Sequence, residues 1–402
     1  MDAGDTRDTR DAGGGLGVQR EAFAVPDGVA YFNTASLAPL LHRVLEAGHA
    51  ALRRRAEPWA IRADDWFDDV ERLRALAAPL FGPTADAEGV ALVPASSYGM
   101  AVAAANLVDA VDPATGGRDG VLVLAGEYPS GVYTWRRFAA ETGARLVTVD
   151  REPGQSWTDA VLAALAADGR IGLVSAPTVH WTDGARVDLA AVSAGVREAG
   201  ARLVVDASQS LGAVPFDVDA VRPDVVVAVG YKWALGPVGR SYLWVAERLR
   251  DGRPLEENWI VRRGARDFAG LVDYGDAYAP GARRYDQGQR TLFEVTPMAI
   301  AALEQVHAWG VDRIAAALAG VTGTIVDRLG RLGLAPSVPT GERSPHILGV
   351  PLPAPARAGV LAALERADCH AAVRGPMLRV SPHLHVTPAD VDRLVDALAS
   401  AV

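Results

Sequence analysis

The stretch Ala201–Val245, ARLVVDASQSLGAVPFDVDAVRPDVVVAVGYKWALGPVGRSYLWV, decides how this chain is read. It holds three short apolar runs, Leu203–Val205, Val225–Val229 and Tyr242–Val245. Runs of that length, rich in valine and bounded by polar turns, read as strands buried on both faces. The first ends in Asp206, with Gln209 one turn further on, and the second in Gly230–Tyr231–Lys232. Lys232 is the only lysine: of 40 basic residues, 39 are arginine. Arginine replaces lysine freely on a solvated surface. It cannot replace it where an amine must lose its proton and attack a carbonyl, because guanidinium stays charged. The lone lysine is therefore either a chance survivor of coding bias or a place where amine chemistry is required.

Working outward, Val90–Val93, Val121–Leu124, Leu146–Val149 and Ile171–Val174 repeat the strand pattern. Amphipathic stretches separate most of them: Tyr98–Val108, Ser130–Glu141, Thr158–Ala166 and Leu189–Ala199. Such alternation predicts an α/β fold with a mainly parallel sheet flanked by helices. After Arg290 the pattern changes. Helices over Pro297–Ala319 and Thr322–Leu332 lead to a strand at His346–Val350 and a helix over Pro355–Ala367. Strands Cys369–Val373 and Leu378–Val380 and a helix over Pro388–Ala399 close the chain. The expected organisation is a disordered tail over 1–20, an N-terminal segment over 21–60 packing with the small domain, a large domain over 61–290, and a smaller C-terminal α+β domain over 291–402.

Composition bounds the function. With 402 residues, 50% hydrophobic and 22% charged, the chain can bury a large core without a disulfide or metal staple. One cysteine, Cys369, excludes an internal disulfide framework. A net charge of −9 argues against a nucleic-acid or anionic-membrane partner. The first 20 residues carry no apolar segment after their charges, so no signal peptide is expected. No apolar run approaches the roughly 18 residues of a membrane span. A soluble, cytoplasmic protein is expected.

In open α/β sheets ligands bind at the carboxyl ends of the strands. Those ends hold Ser96–Ser97, then Glu127–Tyr128, then His180–Trp181, then Asp206 with Gln209, and Tyr231–Lys232. A desolvated lysine there can form a Schiff base with an aldehyde, pyridoxal 5′-phosphate being the commonest. That cofactor needs a carboxylate at its ring nitrogen, a phosphate cradle and a stacking partner. Asp206, the Ser96–Ser97 helix start and Tyr128 could supply them, and Gln209 could reach the ring oxygen. Taken singly, each has an ordinary role. Asp206 is equally a turn former, the serines a capping pair. His180 reads as a satisfied loop residue and Trp181 as packing. His383 and His385 lack a third ligand, so no metal is expected. A nucleotide-binding oxidoreductase would show G-x-G-x-x-G after its first strand, and PASSYGM does not.

The D-x-x-Q of Asp206–Gln209, followed by G-Y-K-W ahead of G-P-x-G, resembles the core of class V aminotransferase-fold (fold-type I) pyridoxal-phosphate enzymes. That group includes cysteine desulfurases, selenocysteine lyases, kynureninases and isopenicillin-N-epimerase-like proteins. YFNTAS, PASSYGM, GEYPSG, VHWTDG, RRYDQGQRT and LRVSPHLHVTPADVDRL extend the resemblance over nearly the whole chain. It implies that Lys232 carries the cofactor and later shuttles protons at Cα. It places Asp206 at the pyridine nitrogen, Gln209 at the ring oxygen, Tyr128 on the ring, and Ser96, Ser97 and Tyr231 at the phosphate. Arg379 would grip the substrate carboxylate, a bidentate task suited to guanidinium. Asn33, His180 and Trp181 would line the substrate side. The segment Gly288–Thr291 matches a loop that reaches a neighbouring subunit's phosphate, which implies a homodimer.

Cysteine desulfurases carry a persulfide-forming cysteine on a loop before the carboxylate arginine. Here only Gly375–Leu378 separates Arg374 from Arg379, and Cys369 lies earlier, in an expected strand where a buried structural role fits. The expected activity acts on an amino acid or amino-acid conjugate through an aldimine on Lys232. β-Elimination at a C–S or similar bond, without a persulfide cysteine, stands first, then transamination, then epimerisation. A catalytically silent cofactor-binding protein is disfavoured by the complete residue set.

Overall fold

A computed structural model describes residues 15–401. After a short strand β1 (Ala30–Tyr31), the apolar runs become one sheet: β2 (Val90–Val93), β3 (Gly120–Leu124), β4 (Arg145–Val149), β5 (Ile171–Pro177), β6 (Arg202–Asp206), β7 (Val225–Val229) and β8 (Ser241–Val245). Their order is β2-β8-β7-β6-β5-β3-β4. From β4 to β7 all neighbours are parallel, and only β8 runs antiparallel to both of its partners. This is the mainly parallel sheet that the strand–helix alternation predicts.

The valine-rich strands are apolar throughout because helices cover both faces. The helices are α1 (His42–Arg55), α2 (Asp68–Ala77), α3 (Ser96–Asn106), α4 (Pro129–Thr142), α5 (Trp157–Ala167), α6 (Leu189–Glu198), the single turn α7 (Val218–Val221), α8 (Val295–Trp309), α9 (Val311–Gly330), α10 (Arg357–Arg366) and α11 (Pro388–Ala399), of which the last two pack on the C-terminal layer instead. On one face Leu122, Val174, Val205 and Val226 meet Val161, Val192 and Ile300 from α5, α6 and α8. On the other, Val123, Leu173, Val204 and Val227 meet Met100 from α3 and Trp135 and Phe138 from α4. Successive strand residues thus alternate between two cores. Among the described residues no helix is long and apolar enough to cross a membrane.

The C-terminal layer is a three-stranded antiparallel sheet, with β9 (Leu348–Pro351) beside β12 (Met377–Val380), and β11 (Ala372–Arg374) on its other side. Its core joins Leu348, Val350 and Leu378 to Ile325 of α9 and Leu394 of α11. β10 (Cys369–His370) pairs instead with β1, and Phe32 enters this small core. Further along the N-terminal segment α1 packs on α8, where a Cβ on Gly48 would come 3.0 Å from Met298 Sδ.

Three sequence expectations are corrected. The long helix breaks at Gly310, which adopts φ 80° and donates its N–H to the Val306 carbonyl, and not near Gly320. Apolar periodicity does not locate a break when both halves keep it. The expected strand Cys369–Val373 divides at Ala371 because its halves pair with different partners. Of the expected tail, residues 1–14 lie outside the described residues, but Leu16 is buried, Gln19 N–H donates to the Leu384 carbonyl at 2.8 Å and Arg20 pairs with Asp390 at 3.2 Å.

Candidate active site

Asp206 ends β6 between Pro177 of β5 and Val227 of β7, and Lys232 follows β7 by three residues. The parallel register therefore brings both to one edge of the sheet. The turn into Lys232 is tight: Gly230 N–H donates to the Arg240 carbonyl at 3.0 Å. A Cβ on Gly230 would stand 2.6 Å from that oxygen. Trp233 anchors the far side, fully buried, with its indole N–H donating to Gln209 Oε1 at 3.0 Å.

Lys232, Asp206, Ser96, Tyr128, Trp181, Gln209 and Tyr231 line one cavity together with Glu127, Ser208 and Val179. Lys232 is 7% exposed. Burial pulls its amine down to about 8; Asp206 opposes this, and Arg379 and Arg374 add to it. The Asp206 carboxyl is pushed up by burial, although Ser208 and Lys232 work to lower it. Its Oδ1 accepts the Ser208 N–H at 2.8 Å. Tyr128 caps α4 and stands with its ring 5.4 Å from Lys232 Nζ. Trp181 meets that ring edge-on at 5.5 Å and donates its indole N–H to the Gly126 carbonyl. Ser96 and Ser97 open α3, where their own N–H groups have no intrahelical acceptor. Ser96 is buried in the cavity wall and Ser97 faces solvent. The Gln209 carboxamide is already engaged, since its Nε2 also donates to the Ala35 carbonyl at 3.2 Å.

Behind Trp181, Arg379 is 1% exposed. It donates to Trp181 O at 2.9 Å, to Ser36 Oγ at 2.6 Å and to Asn33 Oδ1 at 3.4 Å. Its Nε is buried without a partner. Burial, reinforced by Arg374, pulls the guanidinium down to about 9. Arg374 donates to the same Ser36 Oγ at 3.0 Å. Neither arginine has a carboxylate within ion-pair distance among the described residues. Two cations converging on one hydroxyl make a receptor for an anion.

His180 stands apart from the expectation. It does not line the cavity but lies behind it, 4% exposed and stacked on Trp157 at 5.0 Å. Its Nε2 donates to the Ala125 carbonyl, and its Nδ1 shares a hydrogen bond with Thr182 Oγ1 at 2.8 Å. Burial works to lower its pKa, but Asp183 and Glu127 raise it more. Two residues with functional geometry were not among the sequence candidates. Arg374 carried no signal beyond its place next to the hairpin. Glu127 carried only its place at a strand end.

The family model for class-V aminotransferases matches residues 31–394. An uncharacterized aminotransferase of Bacillus subtilis is 25% identical over 344 residues, covering 84% of this chain and 86% of that protein. A probable cysteine desulfurase of Streptomyces coelicolor is 26% identical over 299 residues, covering 69% and 68%. Among solved structures, a cysteine desulfurase from Thermococcus onnurineus superposes with a TM-score of 0.77 at 17% identity, over 94% of this chain and 96% of that one.

Proposed function

The chain belongs to the class-V aminotransferase family, and from that premise we propose a pyridoxal-phosphate enzyme that eliminates a β-substituent, through a C–S or similar bond, from an amino acid or amino-acid conjugate. The observation that carries the reading is the cavity pairing of Lys232 with Asp206, both desolvated. The residues fit the cofactor. Lys232 offers an amine that loses its proton near neutrality, and Asp206 a buried carboxyl that, among the described residues, has no arginine or histidine in contact. Tyr128 offers an open aromatic face, and the start of α3 offers free N–H groups suited to phosphate. Bound there, the cofactor supplies an aldehyde for amines and a ring that withdraws electrons from Cα.

The chain's own residues do the rest. Arg379 and Arg374 hold the α-carboxylate and so orient the Cα–H bond. Lys232, as a free amine, would take the Cα proton as general base. Asp206 keeps the ring-nitrogen proton in place. Trp181 and Tyr128 shape an apolar wall around the reacting atoms. Tyr231 lines the cavity beside Lys232 and would contact the cofactor's phosphate. Asn33 supports Arg379 by accepting its guanidinium N–H at 3.4 Å.

Sulfur would leave free and not pass to a protein thiol. Arg374 and Met377 face each other across a hairpin closed by Gly375 at φ 55°, which has no room for a cysteine-bearing loop. Cys369 is buried in the small core, its thiol pushed up to about 12 by burial. The desulfurase relative supports a C–S bond as the target, and the aminotransferase relative, which covers more of the chain, favours transamination as the second reading. The functional unit would be a homodimer. The loop at Gly288–Thr291, where Gly288 N–H donates to Glu256 Oε2 at 2.5 Å, would lie near the partner's site. Borohydride treatment of the yellow holoenzyme should fix a pyridoxyl group on Lys232. Screening S-substituted cysteines for pyruvate, against keto-acid formation with an amino acceptor, then separates the two readings. A protein that binds no cofactor sinks both.

A further inference from the structure

We propose that Glu127 is the acid that protonates the departing group, a second proton carrier beside Lys232; the proposal rests on the β-elimination reading. Glu127 follows β3 and lines the cavity with Tyr128, Asp206 and Lys232. Its Oε1 accepts the Tyr128 N–H at 2.5 Å, which orients the carboxyl. Its Oε2 is sealed from solvent and has no hydrogen-bond partner. A bare carboxylate oxygen in such a place is costly, so the group favours holding a proton there. Burial pushes this carboxyl up to about 7; His180 and the Tyr128 N–H work against the rise, and Asp206 adds to it. Lys232 is pulled down to about 8. A carboxylic acid and an amine that ordinarily titrate far apart thus meet near neutrality. One can give a proton in the same cycle in which the other accepts one.

The step balances. Lys232 takes the Cα proton, and the C–H electron pair becomes the new Cα–Cβ π bond. The Cβ–S bond breaks with its pair on sulfur, and Glu127 supplies the proton that sulfur takes up. Transfer of one proton from the Lys232 ammonium back to the Glu127 carboxylate resets both groups. His180 is a positioning residue in this scheme. Held by Asp183 at 3.5 Å and biased toward its charged form, it steadies the Glu127 carboxylate from behind.

Two probes separate this role from packing, S-ethyl-L-cysteine and β-chloro-L-alanine. Ethanethiolate is a basic leaving group that gains from protonation, and chloride is not. In the holoenzyme, Glu127→Gln should lower the ratio of S-ethyl to β-chloro turnover on the order of 100-fold. Glu127→Asp, which keeps a carboxyl, should recover part of that ratio. An unchanged ratio, with both rates lost equally or neither lost, overturns the proposal and leaves the lyase reading standing. If the unaltered enzyme eliminates from neither probe, the reading falls and the proposal with it. An infrared readout needs no turnover: the unaltered holoenzyme should show a carboxylic-acid band titrating near neutral pH that Glu127→Gln lacks. A Glu127 carboxyl already ionised below about pH 5 overturns the proposal.

Discussion

Lys232 Nζ lies 5.4 Å from the centre of the Tyr128 ring, on the inner side of a cavity that also holds the Asp206 carboxyl. The three residues come from three different strand ends, and each is placed by backbone that the sheet holds still. A flat ring laid on Tyr128 is presented to the amine and the carboxylate together. That relationship turns burial into chemistry, because the same desolvation that favours the neutral amine also strengthens its field contacts.

Lys232 should therefore react as an unusually acidic ammonium. Burial makes the folded protein bind this proton less tightly than the unfolded chain, with the amine at about 8 against an ordinary value of 10.5. Between those values the unfolded chain holds more protons, so stability of the cofactor-free protein rises with pH across that window. Uptake of pyridoxal phosphate should reach half its maximal rate near pH 8. A midpoint above about 10 would show that the amine is solvated. Lys232→Ala should give no borohydride-fixed adduct.

Asp206→Asn should separate stability from function. The carboxyl is buried and raised, with one N–H partner that an amide oxygen can keep. Removing its charge should leave the cofactor-free protein as stable as before or more so. Product formation should fall at least about 100-fold, because a neutral amide does not hold the ring-nitrogen proton. Thermal unfolding of the cofactor-free form and turnover of the loaded form give the two numbers. A parallel loss of both would mark Asp206 as structural.

Arg374→Ala and Arg379→Ala should each raise KM about 10- to 100-fold, the worth of one charge-assisted hydrogen-bond pair. Arg379→Lys should not restore binding, since an ammonium cannot span Trp181 O and Ser36 Oγ as the fork does. Ser36→Ala should loosen both arginines and weaken binding less than either arginine loss. Steady-state kinetics across the four variants decides. An unchanged KM in Arg374→Ala would remove that residue from the anion receptor.

Acid should destabilise the junction between the large sheet and the C-terminal layer. His346, His383 and His385 are fully buried, and both ring nitrogens of His383 lack partners. His383 lies between Phe23 at 5.6 Å and Trp233 at 5.9 Å. Burial pulls His346 and His385 down to about 4 and His383 well down as well; Arg20 also lowers His385 while Asp390 opposes it. The unfolded chain binds these protons first, so stability is lost as pH falls from about 6.5 toward about 4. Each histidine adds up to about 1.4 kcal/mol per pH unit in that window. Denaturant unfolding at pH 7 and 5 should show the loss, and His383→Phe should flatten it. An identical slope in that variant would show that His383 does not titrate there.

Much of this site is legible without coordinates because Asp206 and Lys232 close neighbouring strands of one parallel sheet. A run of valines ending in a polar residue specifies both the strand and the edge where that residue emerges. Ser96 and Tyr128 follow by the same logic. His180 shows its limit: it too follows a strand, but Thr182, Asp183 and Trp157 draw its ring behind the cavity wall. Gln209 reaches the cavity with its carboxamide already shared between Trp233 and Ala35.

The strands of the large sheet, the edge where they end and the one amine placed there are readable from the chain alone, because they depend on local pattern and chain order. The fold had to bring Arg374 to Arg379 with no counter-ion among the described residues, and to leave a Glu127 oxygen bare in the cavity that Lys232 lines. A missing partner and a lost hydration shell are not properties of a residue. They depend on what every other segment brings, or fails to bring, to the same few ångströms.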